Sequence, residues 1–191
     1  RLTYAFIAPY YGQMRAATPR LAKEKGAKKV CAIYQDDDFG LEVLKGSEDG
    51  LKAAGMEMAE KVSYKRGATD FSSQVAKTKA AGCDLVVLGT IIRETIGAMG
   101  EARKSGFNPT FLASAAAYIN AVPKLGGAAV DGLYIAMTIG VPYTDSPEQP
   151  VRFWANKYKT KFNEEPDTFS ATGYVIMDAF IKVAQKAGPN L

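Results

Sequence analysis

Three consecutive carboxylates, Asp36, Asp37 and Asp38, follow a short apolar run near residue 30. Aspartate at the start of a helix accepts hydrogen bonds from free backbone N–H groups and complements the helix dipole, which is the favoured interpretation. A divalent cation is the alternative, because hard cations prefer several oxygen ligands, although no further carboxylate obviously joins these three. A phosphate site is disfavoured, since the carboxylates would repel it and no glycine-rich phosphate-binding motif occurs.

Two features of the composition exclude other chemistry. The sequence contains no histidine, so Ser-His and Cys-His nucleophile pairs and histidine metal sites are excluded. Its two cysteines, Cys31 and Cys83, are too few for a four-cysteine zinc site and are expected to be buried thiols or a disulfide without a catalytic role. The net charge of +4 over 191 residues gives no reason to expect nucleic-acid binding.

Other candidate residues follow predicted strands. Phe39 is a large apolar side chain in an acidic turn, where it would form either the wall of a ligand site or a hydrophobic staple for its helix. After a later strand, Arg93 would either bind a carboxylate through its two-pronged guanidinium or pair on the surface with Glu94 or Glu101. Ile91 and Ile92 are apolar residues just after the same strand, at the edge of the predicted sheet, where side chains would otherwise be exposed to water.

The hydrophobic pattern predicts the elements that position these residues. Short apolar runs predict the strands Val30–Tyr34, Met56–Val62, Leu85–Leu88, Thr110–Ala113 and Leu133–Met137. Helical periodicity predicts a first helix ending at Gly26, and then Phe39–Ala54, Asp70–Ala81, Thr95–Lys104 and the short Ile119–Leu125. This alternation predicts an α/β fold with a doubly wound, five-stranded parallel sheet in the order 2-1-3-4-5.

The alternation stops beyond Met137. Gly140–Pro150 has no clear element, and two helices, Glu148–Phe162 and Thr168–Ala187, follow with no strand between them. Their large apolar faces need a partner, so we expect them to belong to a second lobe that is mostly missing. Packing onto the same sheet is the alternative. The chain is expected to be a piece of a longer protein. Its first residues lack a signal-peptide pattern. No apolar run in the sequence is long enough to span a membrane.

Four blocks of sequence carry a family resemblance: Lys29–Tyr34, Asp38-Phe39-Gly40, Gly67–Phe71 and Ala80–Gly89. In this order they resemble the periplasmic solute-binding proteins of ABC transporters for branched-chain amino acids, the type I periplasmic binding proteins. The resemblance implies two lobes joined by three crossovers, with the ligand trapped between the lobes. The implied organisation is a crossover segment (1–9), a ligand-binding lobe (10–138), a return crossover (139–147) and helices of the other lobe (148–191).

The resemblance also implies which positions face the ligand. The candidate contacts are Phe39, Thr90, Ile91, Arg93, Ala115, Tyr118 and Phe169. The family's acidic partner for a ligand ammonium would fall near Ala115, but neither this residue nor its neighbours carry a charge. Because a buried ammonium without a counter-charge costs several kcal/mol, we expect an apolar carboxylate rather than an α-amino acid.

The expected protein is therefore a periplasmic binding module and not an enzyme. It is expected to need no cofactor or metal and to bind no nucleic acid. The expected partners are a small-molecule ligand and a permease in the membrane, while the 191-residue chain alone is expected to self-associate through the helices of 148–187. The alternatives are the binding of a branched-chain amino acid, a ligand-sensing receptor ectodomain and an enzyme on the same fold.

Overall fold

The computed structural model describes residues 5–188 of the chain. Residues 8–138 form one compact unit. The other described residues, up to 7 and from 139 onward, form a second unit.

A single parallel sheet organises the first unit. Its strands are β1 (Val30–Gln35), β2 (Met58–Tyr64), β3 (Leu85–Gly89), β4 (Thr110–Ala113) and β5 (Leu133–Ile135). They are hydrogen-bonded in the order β2-β1-β3-β4-β5, and all four pairings are parallel. The predicted fold class and strand order are confirmed.

The chain surrounds the sheet with helices on both faces. The first unit contains α1 (Tyr10–Lys25), α2 (Asp38–Ala53), α3 (Ser72–Ala80), α4 (Ile92–Lys104) and α5 (Ala121–Gly126). Helix α1 ends, as predicted, at Gly26, whose φ of 65° is the left-handed conformation that glycine adopts without strain.

Alternate strand residues supply two separate cores. On β1, Val30 and Ala32 pack with α1 and α2, whereas Cys31 and Ile33 pack with α3, α4 and α5. Strand β3 divides in the same way, because successive side chains of a strand point to opposite faces of the sheet. All five residues of β3 are buried, as expected of a central strand covered on both sides.

Several predicted boundaries are wrong by a few residues. Helix α4 begins at Ile92 and not at Thr95, so its first turn contains Arg93 and Glu94. Strand β2 begins at Met58 and not at Met56, because the Met56 N–H donates to the Leu51 carbonyl and closes the end of α2.

Two further corrections concern the chain after β4. The predicted helix Ile119–Leu125 is present as α5 but begins at Ala121, and a 3₁₀ turn that was not predicted, Ala115–Ala117, precedes it. Strand β5 ends at Ile135 and not at Met137, since its neighbour β4 ends at Ala113, the residue paired with Ile135.

The second unit consists mainly of α6 (Gln149–Phe162) and α7 (Thr168–Ala187). The Trp154 ring of α6 contacts the Tyr174 ring of α7, with centroids 5.4 Å apart. Ala155 is the buried residue of α6, and no residue of α7 is buried in the part of the chain that the structure describes. Within residues 5–188, no helix combines the length and apolar character needed to cross a membrane.

Candidate functional site

The carboxyl edge of the sheet carries a row of buried polar side chains. Gln35 ends β1, Thr90 follows β3 and Ser114 follows β4, and each is no more than 2% exposed. Because the strands are parallel, these residues lie at the same edge of the sheet. We call this edge, with the turns that follow β1, β3 and β4, the rim.

The turn after β1 uses its carboxylates for structure. Asp37 is the N-cap of α2 and accepts a 3.1 Å hydrogen bond from the Gly40 N–H, while the Gln35 amide donates to its other oxygen. Asp36 pairs with Lys65. Among the described residues, no group of three or more acidic, histidine or cysteine side chains is arranged to hold a metal ion. The capping interpretation therefore accounts for this turn.

Phe39 is half-buried at the start of α2. Its ring lies edge-on to Tyr10, with centroids 4.9 Å apart, and packs against the core formed by α1 and α2. One side of the ring thus packs against its own helix and α1. This contact is compatible with both predicted roles of Phe39, the wall of a ligand site and a hydrophobic staple. Burial, and then the Glu42 carboxylate, raise the pKa of Tyr10 above its ordinary value.

Thr90, after β3, is fully buried and hydrogen-bonded within the protein. The Thr95 hydroxyl donates to the Ile91 carbonyl at 2.6 Å and also lies 2.6 Å from the Thr90 hydroxyl. Because Thr95 has one proton and uses it on the carbonyl, Thr90 must be the donor to Thr95. The Thr90 proton is therefore engaged inside the lobe, and only its oxygen remains able to accept.

Ile91 and Arg93 are the more accessible residues of this turn. Ile91 is half-buried, and the Arg93 side chain is exposed. No ion pair between Arg93 and another described residue occurs, so the predicted pairing with Glu94 or Glu101 is wrong. Glu101 instead lies 3.9 Å from Lys104, and Glu94 points inward.

Glu94 was missed as an interior residue because its helix begins earlier than the sequence pattern indicated. It is 2% exposed, and its Oε2 atom has no hydrogen-bond partner among the described residues. Tyr64 is its electrostatic neighbour: burial first, and then the charges of Glu94 and Asp37, raise the pKa of Tyr64 above its ordinary range. The Tyr64 hydroxyl can donate to the Gly89 carbonyl at 3.3 Å or to the Gln35 amide oxygen at 3.4 Å.

The turn after β4 contains Ala115 and Tyr118, which are both half-buried. The Ser114 hydroxyl caps the turn by accepting a 3.4 Å hydrogen bond from the Ala116 N–H. The Ala115 N–H donates to the side chain of Gln13 at 3.0 Å. Gln13 is a second residue that sequence reasoning missed, since nothing in the local pattern of α1 distinguishes a glutamine bonded to a distant turn.

The predicted contacts therefore divide between the two units. Phe39, Thr90, Ile91, Arg93, Ala115 and Tyr118 lie along the rim of the first unit. Phe169 belongs to α7 in the second unit, where it is 52% exposed.

A disulfide lies at the amino ends of the strands, away from the rim. Cys31, near the start of β1, is bonded to Cys83, which precedes β3, with Cα atoms 5.9 Å apart. Both residues are buried, so of the two predicted alternatives the structure has the disulfide.

Comparison with known proteins identifies relatives of the same kind. The chain is 28% identical over 177 residues to the Leu/Ile/Val-binding protein homolog 7 of Brucella abortus, which covers 86% of this chain and 43% of the relative. The substrate-binding periplasmic protein of Ralstonia solanacearum shares the fold at a TM-score of 0.85, with 22% identity over 99% of this chain and 54% of that one. A fatty acid ABC transporter substrate-binding protein from Thermomonospora curvata also shares it, at a TM-score of 0.70 and 23% identity, over 85% of this chain and 42% of that one.

The chain thus spans about half the length of the relatives it matches. The family model described as "Periplasmic binding protein" matches residues 2–191, nearly the whole sequence. This match shows that the chain belongs to the periplasmic binding protein family.

Proposed function

We propose that this chain is part of the solute-binding component of an ABC importer, which captures a small apolar carboxylate between two lobes and delivers it to a permease. The observation that carries the proposal is the rim itself. Gln35, Thr90 and Ser114 are hydrogen-bonded within the protein, whereas the half-buried positions Phe39, Ile91 and Ala115 are uncharged and lie in the same turns as the exposed Asp38 and Arg93. Apolar side chains beside a small number of polar groups are typical of the lining of a small-molecule site.

The charge of the rim supports an acid as the ligand. Ala115 and its neighbours in the turn carry no charge, and the nearby carboxylates of Asp36 and Asp37 already have partners within the protein. The exposed Arg93 guanidinium is the cation in the turn after β3, and guanidinium groups bind carboxylates through two parallel hydrogen bonds. An aromatic or branched aliphatic acid matches both features.

A branched-chain amino acid is the second candidate. Its support is the Leu/Ile/Val-binding relative and the buried carboxyl group of Glu94, next in sequence to Arg93, whose Oε2 atom has no hydrogen-bond partner in the part of the chain that the structure describes. For an amino acid to bind, Glu94 or the other lobe must supply the counter-charge that Ala115 lacks.

The proposed mechanism is closure of two lobes about the crossovers at residues 1–9 and 139–147. The rim of 10–138 would form one wall of the ligand site, and the other lobe of the full-length protein would form the opposite wall. The closed form would then be the state recognised by the permease. We place the protein in the periplasm, an oxidising compartment in which a buried disulfide such as Cys31–Cys83 persists.

A matched pair of ligands tests the proposed chemistry. Leucine and isocaproate share one carbon skeleton and differ in the ammonium group, so they isolate the charge argument. In a thermal-shift experiment on the full-length protein, a ligand at about a hundred times its Kd adds about 2.7 kcal/mol to the free energy of unfolding. We expect isocaproate or phenylacetate to raise the melting temperature and leucine to leave it unchanged. A shift with leucine alone would establish the amino-acid alternative.

Arg93→Ala tests the proposed carboxylate contact. Losing a charge-assisted hydrogen bond costs about 1.5–3 kcal/mol, so the variant is expected to bind isocaproate at least tenfold more weakly. Arg20→Ala, an exposed arginine on α1, is the control and is expected to bind like wild type. Equal affinities of the two variants would remove Arg93 from the site.

A further inference from the structure

Gln13 makes two hydrogen bonds that join distant parts of the first unit. Its side chain is buried, with 6% exposed, in the first turn of α1. The amide nitrogen donates to the Ala8 carbonyl at 2.7 Å, and the amide oxygen accepts from the Ala115 N–H at 3.0 Å. One side chain therefore satisfies two backbone groups that are more than 100 residues apart in sequence.

The two bonded groups lie at functionally different places. Ala8 is the first residue of the first unit, the unit that carries the rim. Ala115 begins the uncharged turn after β4, which is part of the rim. A primary amide provides both donors and an acceptor without a charge, and here its nitrogen and its oxygen each bond one backbone group. Methionine has a similar volume but neither group.

We propose that Gln13 is a positioning residue that fixes the Ala115 turn relative to the point where the chain enters the lobe. This inference rests on the proposed function, because it assigns the Ala115 turn to the ligand rim and the segment before Ala8 to a crossover. Through its bonds to both groups, Gln13 is expected to pass a change in the backbone at Ala8 to the Ala115 turn. Gln13 thereby couples the ligand-facing turn to the hinge without touching the ligand.

Amide hydrogen exchange of the full-length, ligand-free protein tests the positioning directly. In Gln13→Met the Ala115 N–H loses its acceptor, and we expect exchange in 114–117 to become about fivefold faster, the change that one lost hydrogen bond of ordinary net strength produces. Thr18→Val is the matched control, because Thr18 is also buried on α1 and its hydroxyl bonds to Ser47 away from the rim. This control is expected to leave exchange in 114–117 unchanged.

Ligand affinity tests the coupling. With isocaproate and leucine as probes, Gln13→Met is expected to weaken the binding of whichever probe binds wild type by about tenfold, whereas Thr18→Val weakens it by less than about threefold. Both variants are compared well below their melting temperatures, so a general loss of stability moves neither affinity. Should Gln13→Met fail to fold, Gln13→Asn, too short to reach both partners, replaces it.

Either readout can overturn the proposal. Unchanged exchange in 114–117 in the Gln13 variant contradicts the positioning role, and equal affinities of the Gln13 and Thr18 variants contradict the coupling. If wild type binds neither probe, the proposed ligand class fails, and the exchange rates alone decide the role of Gln13.

Discussion

A substitution at Ala115 tests the proposed charge of the ligand most directly. This residue is half-buried in the rim turn and uncharged, and its backbone N–H is already held by Gln13. Ala115→Glu would add a carboxylate where the resemblance to branched-chain amino acid binding proteins predicts the partner of an ammonium group. We expect the variant to bind leucine at least tenfold better and isocaproate at least tenfold worse, as measured by calorimetry on the full-length protein.

The exposed Asn120 provides the control for that experiment. Asn120→Glu adds the same charge farther along the same connection and is expected to change neither affinity by more than about twofold, since exposed charges interact weakly through water. If Ala115→Glu also leaves both affinities unchanged, the turn after β4 does not contact the charged end of the ligand.

Tyr64 gives the molecule a defined response to alkaline pH. Its pKa is raised in the folded protein, first by burial and then by Glu94 and Asp37. Above a pH of about 10 the unfolded chain therefore loses this proton while the folded protein keeps it, so stability is present below that pH and lost as the pH rises. Measured by urea unfolding, the free energy of unfolding of Tyr64→Phe is expected to fall less steeply with pH above pH 10 than that of wild type. The difference in slope corresponds to at most one proton. Parallel curves for the two proteins would contradict the shift.

At the scale of elements, α1 and α2 pack so closely that glycine is required. A Cβ atom on Gly46 would lie 2.3 Å from the Tyr11 carbonyl oxygen, a backbone atom that cannot move aside cheaply. We expect Gly46→Ala to lower the free energy of unfolding by about 1–3 kcal/mol, the usual cost of overpacking. Gly12→Ala is the control: a Cβ there meets nothing within 4 Å, and alanine favours the helix by about 0.5–1 kcal/mol. Equal stabilities in urea would contradict the close packing.

Elements with strong local signals were predictable, and their ends were less so. Strand β3 is a continuous apolar run, and α1 is followed by a glycine stop, so β3 and the end of α1 were placed within a residue. The start of α4 was placed too late because Ile91 and Ile92 carry no capping side chain, and the helix begins without a side-chain cap bond. This error put Glu94 on the surface in the prediction, whereas the extra helical turn places it inside.

The sequence could not predict the hydrogen bonds that join rim residues to side chains far away in the chain. The bond between Gln13 and the Ala115 N–H depends on how α1 packs against the sheet, which periodicity does not encode. In contrast, the rim itself was predictable, because the carboxyl ends of parallel strands meet once the strand order is known. The residues of the rim could thus be assigned from the sequence, but the partners that hold them could not.

At the scale of the whole molecule, the fold and the family follow from the sequence while the lobe boundaries remain a prediction. The alternation of strands and helices determined the sheet order, and the family match covers nearly the whole chain. The proposed second lobe depends on α6 and α7, whose apolar side chains are largely exposed. These exposed residues include Phe153, Phe162, Phe169, Tyr174, Ile176, Met177, Phe180 and Ile181.

An apolar surface of this extent predicts that the 191-residue chain, expressed alone, self-associates through α6 and α7. Tyr174 and Phe180 are 54% and 60% exposed. Association would remove their apolar surface from water, which favours the associated state by about 25 cal/mol per Å² of apolar area buried. Sedimentation velocity should show a mass that rises with protein concentration, and the double change Tyr174→Ser with Phe180→Ser should restore the monomer. Lys186→Ser, a polar change in the last turn of α7, is expected to leave the association intact. A wild-type chain that stays monomeric at high concentration would show that these helices need no further partner, and would remove the main support for a second lobe built around them.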